Sequence, residues 1–121
     1  MQLDPQILAR SMLRRRQKAV VAAGIKWLVQ RPTAYDLLKL RESTKDQTEQ
    51  GMEFILRNVV GWEGVKESDI LPGESDTSVD FSEIIAKVYL EDHPEAWGIL
   101  NDAIWDLVNA HGAKVDAISK N

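Results

Sequence analysis

The sequence contains no cysteine, and it has no long apolar run. Disulfide bonds, thiolate metal sites and cysteine nucleophiles are therefore excluded. A membrane-spanning helix needs roughly 18 or more consecutive apolar residues, and no run of that kind occurs. We expect neither a membrane span nor a secretory leader. The protein is therefore expected to be soluble and intracellular at synthesis.

The residue patterns of common enzyme sites are also missing. His93 and His111 lack the short spacing of paired metal ligands, and their positions suit a helix start and a helix end. The glycines at positions 61 and 64 do not form a phosphate-binding motif. Carboxylates are frequent between residues 67 and 80, but they do not follow the ligand order of a calcium loop. We expect no enzymatic activity, no cofactor and no metal.

What the chain does contain predicts a folded helical protein. At 121 residues with 44% hydrophobic composition, it is long enough for one core and too short for two. The pattern predicts a mainly α fold, with residues 1–121 in a single compact domain of about five helices. One short extended segment is expected near residues 25–30, where Ile, Trp and Val favour strand geometry.

Helix start signals divide the chain. Asp4 and Pro5 begin a basic leading helix over 1–23, which Gly24 ends. The second helix follows a capping box from Thr33 to Asp36 and gives way to a polar turn near residues 43–46. Apolar side chains at helical spacing then predict a third helix with one face in the core, which Gly61 stops. That stripe consists of Met52, Ile55, Leu56 and Val59.

The C-terminal half predicts two more helices and an acidic surface loop over 66–79. Asp80 to Glu83 forms a second capping box, and a helix with Ile84, Ile85, Val88 and Tyr89 on its apolar face follows it. The fifth helix starts near Asp92. Its inner side is expected to carry Trp97, Leu100, Ile104, Leu107, Val108 and His111. Gly112 is the expected C-terminal cap, so residues 113–121 are predicted to fray.

Charge is distributed unevenly along the chain. Residues 1–60 hold 11 Lys or Arg against 6 Asp or Glu, and residues 61–121 hold 4 against 13, which gives +5 and −9. The two halves could attract each other within the fold, within a head-to-tail oligomer, or through a charged partner.

The arginine-rich part of the leading helix is the candidate partner-binding site. Its cations are Arg10, Arg14, Arg15, Arg16 and Lys18. Clustered positive charge is what nucleic-acid binding requires, but no aromatic residue is interleaved for base stacking and the overall pI is near 5.1. A protein contact and a solvated helix face are the other interpretations. Trp27, in the extended segment, could cover the core or project toward a neighbouring chain.

Three stretches together resemble one family of small proteins. They are Trp27 to Asp36 (WLVQRPTAYD), Val59 to Val65 (VVGWEGV), and Asp80 to Glu83 (DFSE) ahead of a helix. In this combination they are similar to tail assembly chaperones of tailed phages, which are helical proteins encoded just ahead of the tape-measure protein. The Gly-Trp-x-Gly-Val corner with the later Phe-Ser-x-Glu is the most specific part.

The resemblance implies a non-catalytic role in the cytoplasm of an infected bacterium. Such a chaperone would coat the tape-measure protein and help recruit tail-tube subunits. The opposite charges of the two halves could favour ordered self-association along that client. At the corner, Gly61 and Gly64 would reverse the chain while Trp62 plugs the seam between the third helix and the helix that carries Phe81. The alternatives are a small structural tail or connector protein of the virion, and a small nucleic-acid-binding regulator that uses the Arg-rich helix.

Overall fold

The computed structural model describes residues 4–119, which form one mainly helical unit around a small antiparallel sheet. The first three residues of the predicted leading helix and the last two of the segment predicted to fray lie outside this range. The elements in chain order are α1 (Pro5–Arg15), β1 (Gln17–Ala22), β2 (Ile25–Gln30), α2 (Ala34–Glu42), α3 (Gln47–Asn58), β3 (Val59–Glu63), α4 (Glu67–Ile70), α5 (Glu83–Glu91) and α6 (Glu95–Ser119). The expectation of a mainly α fold is thus confirmed in outline, with more strand than the sequence suggested.

The leading helix is much shorter than predicted, because it ends at Arg15 and the chain continues as strand β1. That strand pairs with β2 from Gln17↔Gln30 to Ala22↔Ile25. The turn between them has positive φ at both central residues, 50° at Ala23 and 75° at Gly24, as the favoured two-residue hairpin turn requires. Residues 17–22 favour helix locally, but their pairing with β2 outweighs that preference. This pairing is not visible in the residue pattern of 17–22 alone.

The region around Gly61 and Gly64, which was predicted to form a corner between helices, instead contains strand β3. Helix α3 ends at Asn58, so Gly61 does not stop it, and Val59 begins β3. β3 pairs antiparallel with β2, and Trp62 lies opposite Trp27. The strand order is β1-β2-β3. One sheet edge therefore starts directly after α1 and the other directly after α3.

The core lies on one face of this sheet, between the sheet and the helices α3, α5 and α6. Its fully buried large side chains are Ile25, Trp27, Val29, Asn58, Leu90, Leu100 and Ile104. In α5 the buried face is Ala86 and Leu90. The predicted stripe was wrong at two positions, because Ile84 is 78% exposed and Val88 is 58% exposed.

Helix boundaries in the C-terminal half also differ from the predictions. The acidic loop over 66–79 includes the single turn α4 and a bridge between Lys66 and Ser78, so it has internal order. The N-cap of α5 is Ser82, which accepts a hydrogen bond from the Ile85 amide at 3.3 Å. Helix α6 passes through residue 112 without ending and continues to Ser119. Its backbone is helical where the sequence predicted fraying.

The second helix was predicted correctly. Thr33 accepts from the Asp36 amide, and Asp36 accepts from the Thr33 amide, both at 3.1 Å. This reciprocal capping box satisfies two amides that the first helical turn leaves free. α2 ends at Glu42, and a short turn leads into α3.

Candidate partner-binding surface

Helix α1 contributes no buried side chain to the core. Its apolar residues remain about half exposed: Ile7 at 54%, Leu8 at 46%, Met12 at 54% and Leu13 at 49%. An isolated helix of this length is marginally stable in water, since most helices in proteins depend on tertiary packing. α1 therefore presents apolar side chains that the rest of the described chain covers only in part.

A groove of about 310 Å³ lies between the end of α1 and residues 107–114 of α6. Met12 and Leu107 supply part of its apolar lining. Its rim is basic, with Arg15 and Arg16 on one side, Lys114 on the other and Arg31 beyond the end of β2. We call this feature the basic groove. The four cations come from three separate parts of the chain, and the tertiary fold brings them together.

Within residues 4–119, no carboxylate forms an ion pair with a cation of the basic groove. The ion pairs found among residues 4–119 involve Lys26, Lys45 and Arg57, and none of these lines the groove. No Asp or Glu lines it either. Cations with no partner carboxylate create a positive potential that attracts an anionic group of a ligand or partner.

The arginines singled out in the sequence separate into two groups. Arg15 and Arg16 lie at the basic groove, whereas Arg10 and Arg14 do not line it and are exposed one turn apart on α1. Lys18 is exposed on β1. Sequence reasoning missed Arg31, because it was treated only as the residue before Pro32. Lys114 was missed because it falls in a segment predicted to fray.

Trp27 cannot contact a partner, because its side chain is 0% exposed. Its indole N–H donates to the Ala22 carbonyl at 3.0 Å, and its ring packs against Trp62 and Tyr89 with centroids 5.8 and 6.0 Å apart. Of the two interpretations of this residue, the structure supports covering the core. Its assignment as a partner-binding residue was wrong because alternation in β2 directs it inward, as it does Ile25.

Trp62 is buried as predicted, at 9% exposure, and it contacts Phe81, but it does not lie between two helices. It lies in β3 and joins the sheet to the segment ahead of α5, with a T-shaped contact to Phe81 at 5.0 Å. Its indole N–H donates to the Val79 carbonyl at 2.8 Å. Gly61 packs under Leu28, where an added Cβ would lie 3.2 Å from the leucine Cδ1. Gly64 makes the turn after β3 with φ of +64°.

A larger groove, of about 480 Å³, lies between α2 and α3. Its charged residues include partners that are already joined, Lys45 with Glu53 and Arg57 with Asp36. It therefore lacks the concentration of unpaired charge found at the basic groove.

Among residues 4–119 no group of three or more His, Cys, Asp or Glu side chains is placed to hold a metal ion. Within the same range, none of the helices has the length and apolar content to cross a membrane.

Comparisons of the chain with protein-family models, with curated proteins and with solved structures found no significant match. Any statement of function must therefore come from the chain itself. Its two distinctive surfaces are the partly exposed apolar side of α1 and the basic groove.

Proposed function

We propose that this protein is a non-catalytic tail assembly chaperone of the tailed-phage kind, active in the cytoplasm of the infected bacterium. It would bind the tape-measure protein and help recruit tail-tube subunits. The observation that carries this proposal is helix α1, an amphipathic helix that lies outside the core. The three sequence stretches that resemble the family support the choice of client.

Client binding through α1 follows from its exposed side chains. Ile7 and Leu13 do not line the basic groove and are about half exposed, so a client helix could cover them. Burial of apolar surface contributes about 25 cal/mol per Å² to such a contact. Arg10 and Arg14 would attract carboxylates along the same client segment. A long, aggregation-prone helical protein offers apolar stripes of this kind, and covering them would keep it soluble.

Co-expression with the tape-measure protein, followed by affinity capture, tests the proposal. We expect a soluble complex with the wild-type chain. The double variant Ile7→Ser, Leu13→Ser should reduce capture at least about tenfold, the effect of losing about 1.4 kcal/mol of binding free energy. A matched control is Ile84→Ser, which removes an equally large and more exposed side chain from α5. No complex with the wild-type chain, or equal loss in the control, would refute client binding through α1.

The unpaired cations of the basic groove favour a nucleic-acid-binding regulator as a second candidate. Phosphate contacts release counterions, so such binding would weaken steeply as salt rises. The triple variant Arg14→Glu, Arg15→Glu, Arg16→Glu should abolish it. If the wild-type chain binds no nucleic acid at low salt, this candidate is removed. The remaining alternative, a structural tail or connector protein, requires the chain to be present in purified virions, whereas a chaperone should be absent.

A further inference from the structure

We propose that the basic groove of one copy of this chain binds the acidic segment of a second copy, so that copies associate head to tail. The acidic segment is residues 67–80, which hold five Asp or Glu and no Lys or Arg. This interaction goes beyond the proposed client binding and does not depend on it, because it involves only the protein itself.

The basic groove and the acidic segment lie at opposite ends of the sheet. At one end the Arg31 amide donates to the Arg16 carbonyl at 2.7 Å, and both residues line the groove. At the other end Lys26 pairs with Glu63, the last residue of β3, and the acidic segment follows shortly after. Strands rise about 3.3 Å per residue, so roughly 17 Å of β2 separates these ends.

Backbone contacts place the acidic segment at the hairpin end. The Val79 amide donates to the Val65 carbonyl at 2.8 Å, so the segment begins and ends near the end of β3 that pairs with Lys26. At the same end, the Tyr89 hydroxyl donates to the Ala23 carbonyl in the turn between β1 and β2 at 2.7 Å. Burial raises the pKa of Tyr89, and the charges of Glu95 and Asp69 add to the effect. None of the ion pairs found among residues 4–119 joins the segment to the groove.

The acidic segment is held in a defined shape before it binds. The Glu67 amide donates to the Thr77 carbonyl at 2.9 Å, and the Ser68 amide donates to the Ser75 carbonyl at 3.0 Å. These bonds close the segment into a compact projection. Preorganisation of this kind lowers the ordering entropy that binding would otherwise cost.

The two surfaces match in chemistry as well as in charge. Leu71 is 59% exposed and is flanked in the chain by acidic residues, including Asp69 and Glu74. The basic groove has the reverse arrangement, with apolar Met12 and Leu107 beside four cations. An apolar anchor surrounded by complementary charge is the usual composition of a specific protein interface. A second copy supplies this anchor at the same concentration as the groove.

Contacts of this type are heterologous, because the two surfaces differ. A pair of copies retains one free groove at one end and one free acidic segment at the other, so association continues into a ring or a filament. Ile7 and Leu13 do not line the groove and would stay accessible in every copy. An assembly of this kind would display a row of α1 helices.

Two charge-reversal variants of the intact chain test the proposal. Arg15→Glu with Arg31→Glu changes only the groove, and Glu74→Lys with Asp76→Lys changes only the acidic segment. Association should be measured by sedimentation velocity over a range of protein concentrations. The wild-type chain should associate at about 0.1 M salt and dissociate at about 1 M, since the Debye length falls from about 10 Å to about 3 Å. Each variant alone should associate at least about tenfold more weakly than the wild type.

Mixing the two variants gives the decisive result. One retains a native acidic segment and the other a native groove, so a 1:1 mixture should form a heterodimer under conditions in which neither variant associates alone. The control, Glu91→Lys with Asp102→Lys, makes the same charge change at exposed carboxylates elsewhere and should associate at least as strongly as the wild type. Circular dichroism should show that every variant is folded. A wild-type chain that stays monomeric at low salt, or a mixture that forms no heterodimer, would overturn the proposal.

Discussion

Replacing Trp62 with alanine should cause one of the largest losses of stability available in this chain. Its indole ring fills the space between β2 and the segment ahead of α5, and only 9% of the residue is exposed. Removing a buried tryptophan side chain costs about 3–5 kcal/mol, which combines lost apolar burial with the cavity left behind. A domain of this size has a total stability of about 5–15 kcal/mol. The substitution should therefore remove a large fraction of it.

Three specific contacts raise the expected cost toward the upper part of that range. The hydrogen bond to the Val79 carbonyl contributes about 1 kcal/mol. Edge-to-face contacts with Trp27 and Phe81 add about 0.5–1.5 kcal/mol beyond burial, and these terms overlap. Trp62→Phe keeps an aromatic ring but removes the N–H donor. We expect about 4–5 kcal/mol for Trp62→Ala and about 1–2 kcal/mol for Trp62→Phe.

Urea unfolding followed by far-UV circular dichroism measures both losses, because the helices report on the whole fold while the indole signal changes with the substitution. Tyr35→Ala is the control: it removes a large aromatic side chain that is 61% exposed and should cost less than about 1 kcal/mol. A loss below about 1.5 kcal/mol for Trp62→Ala, or equal losses for the alanine and phenylalanine variants, would refute this account of how β3 is joined to α5.

Three further predictions concern the hairpin turn, the Tyr89 hydroxyl and the cap of α2. Ala23→Asn should raise the free energy of unfolding by about 0.5–1 kcal/mol in urea titrations, since asparagine tolerates the positive φ that precedes Gly24; destabilisation would contradict the hairpin geometry. The folded-state pKa of Tyr89 is raised, so the stability it contributes is present below its unfolded pKa of about 10 and is lost as pH rises through the folded value. Tyr89→Phe removes the hydrogen bond to the Ala23 carbonyl, so it should lose stability at neutral pH, and it should show a smaller alkaline decline; an unchanged decline counts against this assignment. Thr33→Ala should cost about 1 kcal/mol by removing the capping box with Asp36, and an unaltered thermal midpoint would show that the box is unimportant.

Local signals predicted helices best where a side chain caps the backbone nearby. The box from Thr33 to Asp36 is an example, because all of its contacts lie within four residues. The same reasoning misplaced the start of α5 by two residues, at Asp80 instead of Ser82, since both carry oxygen acceptors suited to an N-cap. Capping residues therefore predict the region in which a helix begins more reliably than they predict its exact N-cap residue.

Strand pairing was the main source of error. Residues 17–22 have no proline and include Ala, Lys and Gln, which favour helix. Their strand geometry depends on hydrogen bonds to β2 and on the burial of Ala22 beside Ile25. Likewise, Val59 continues the helical spacing of α3 and was assigned to that helix, but pairing with Val29 makes it the first residue of β3.

The sequence also did not predict which cations come together at the basic groove. Arg15 and Arg16 were visible as part of a run, but a run of arginines on a helix is exposed on several sides. Arg31 and Lys114 are 83 residues apart in the chain, and no spacing rule connects them. Only the packing of α6 against the β1–β2 hairpin brings them to the same groove.

The sequence by itself determined that this chain has no thiol chemistry, a single core, mainly helical elements and two halves of opposite charge. Those properties depend on composition and on contacts between residues close in the chain. The tertiary structure decided that residue 27 is buried, that α1 lies outside the core, and that unpaired cations and carboxylates occupy opposite ends of the sheet. These outcomes depend on long-range pairing and packing, whose free energies exceed local preferences of a few tenths of a kcal/mol per residue.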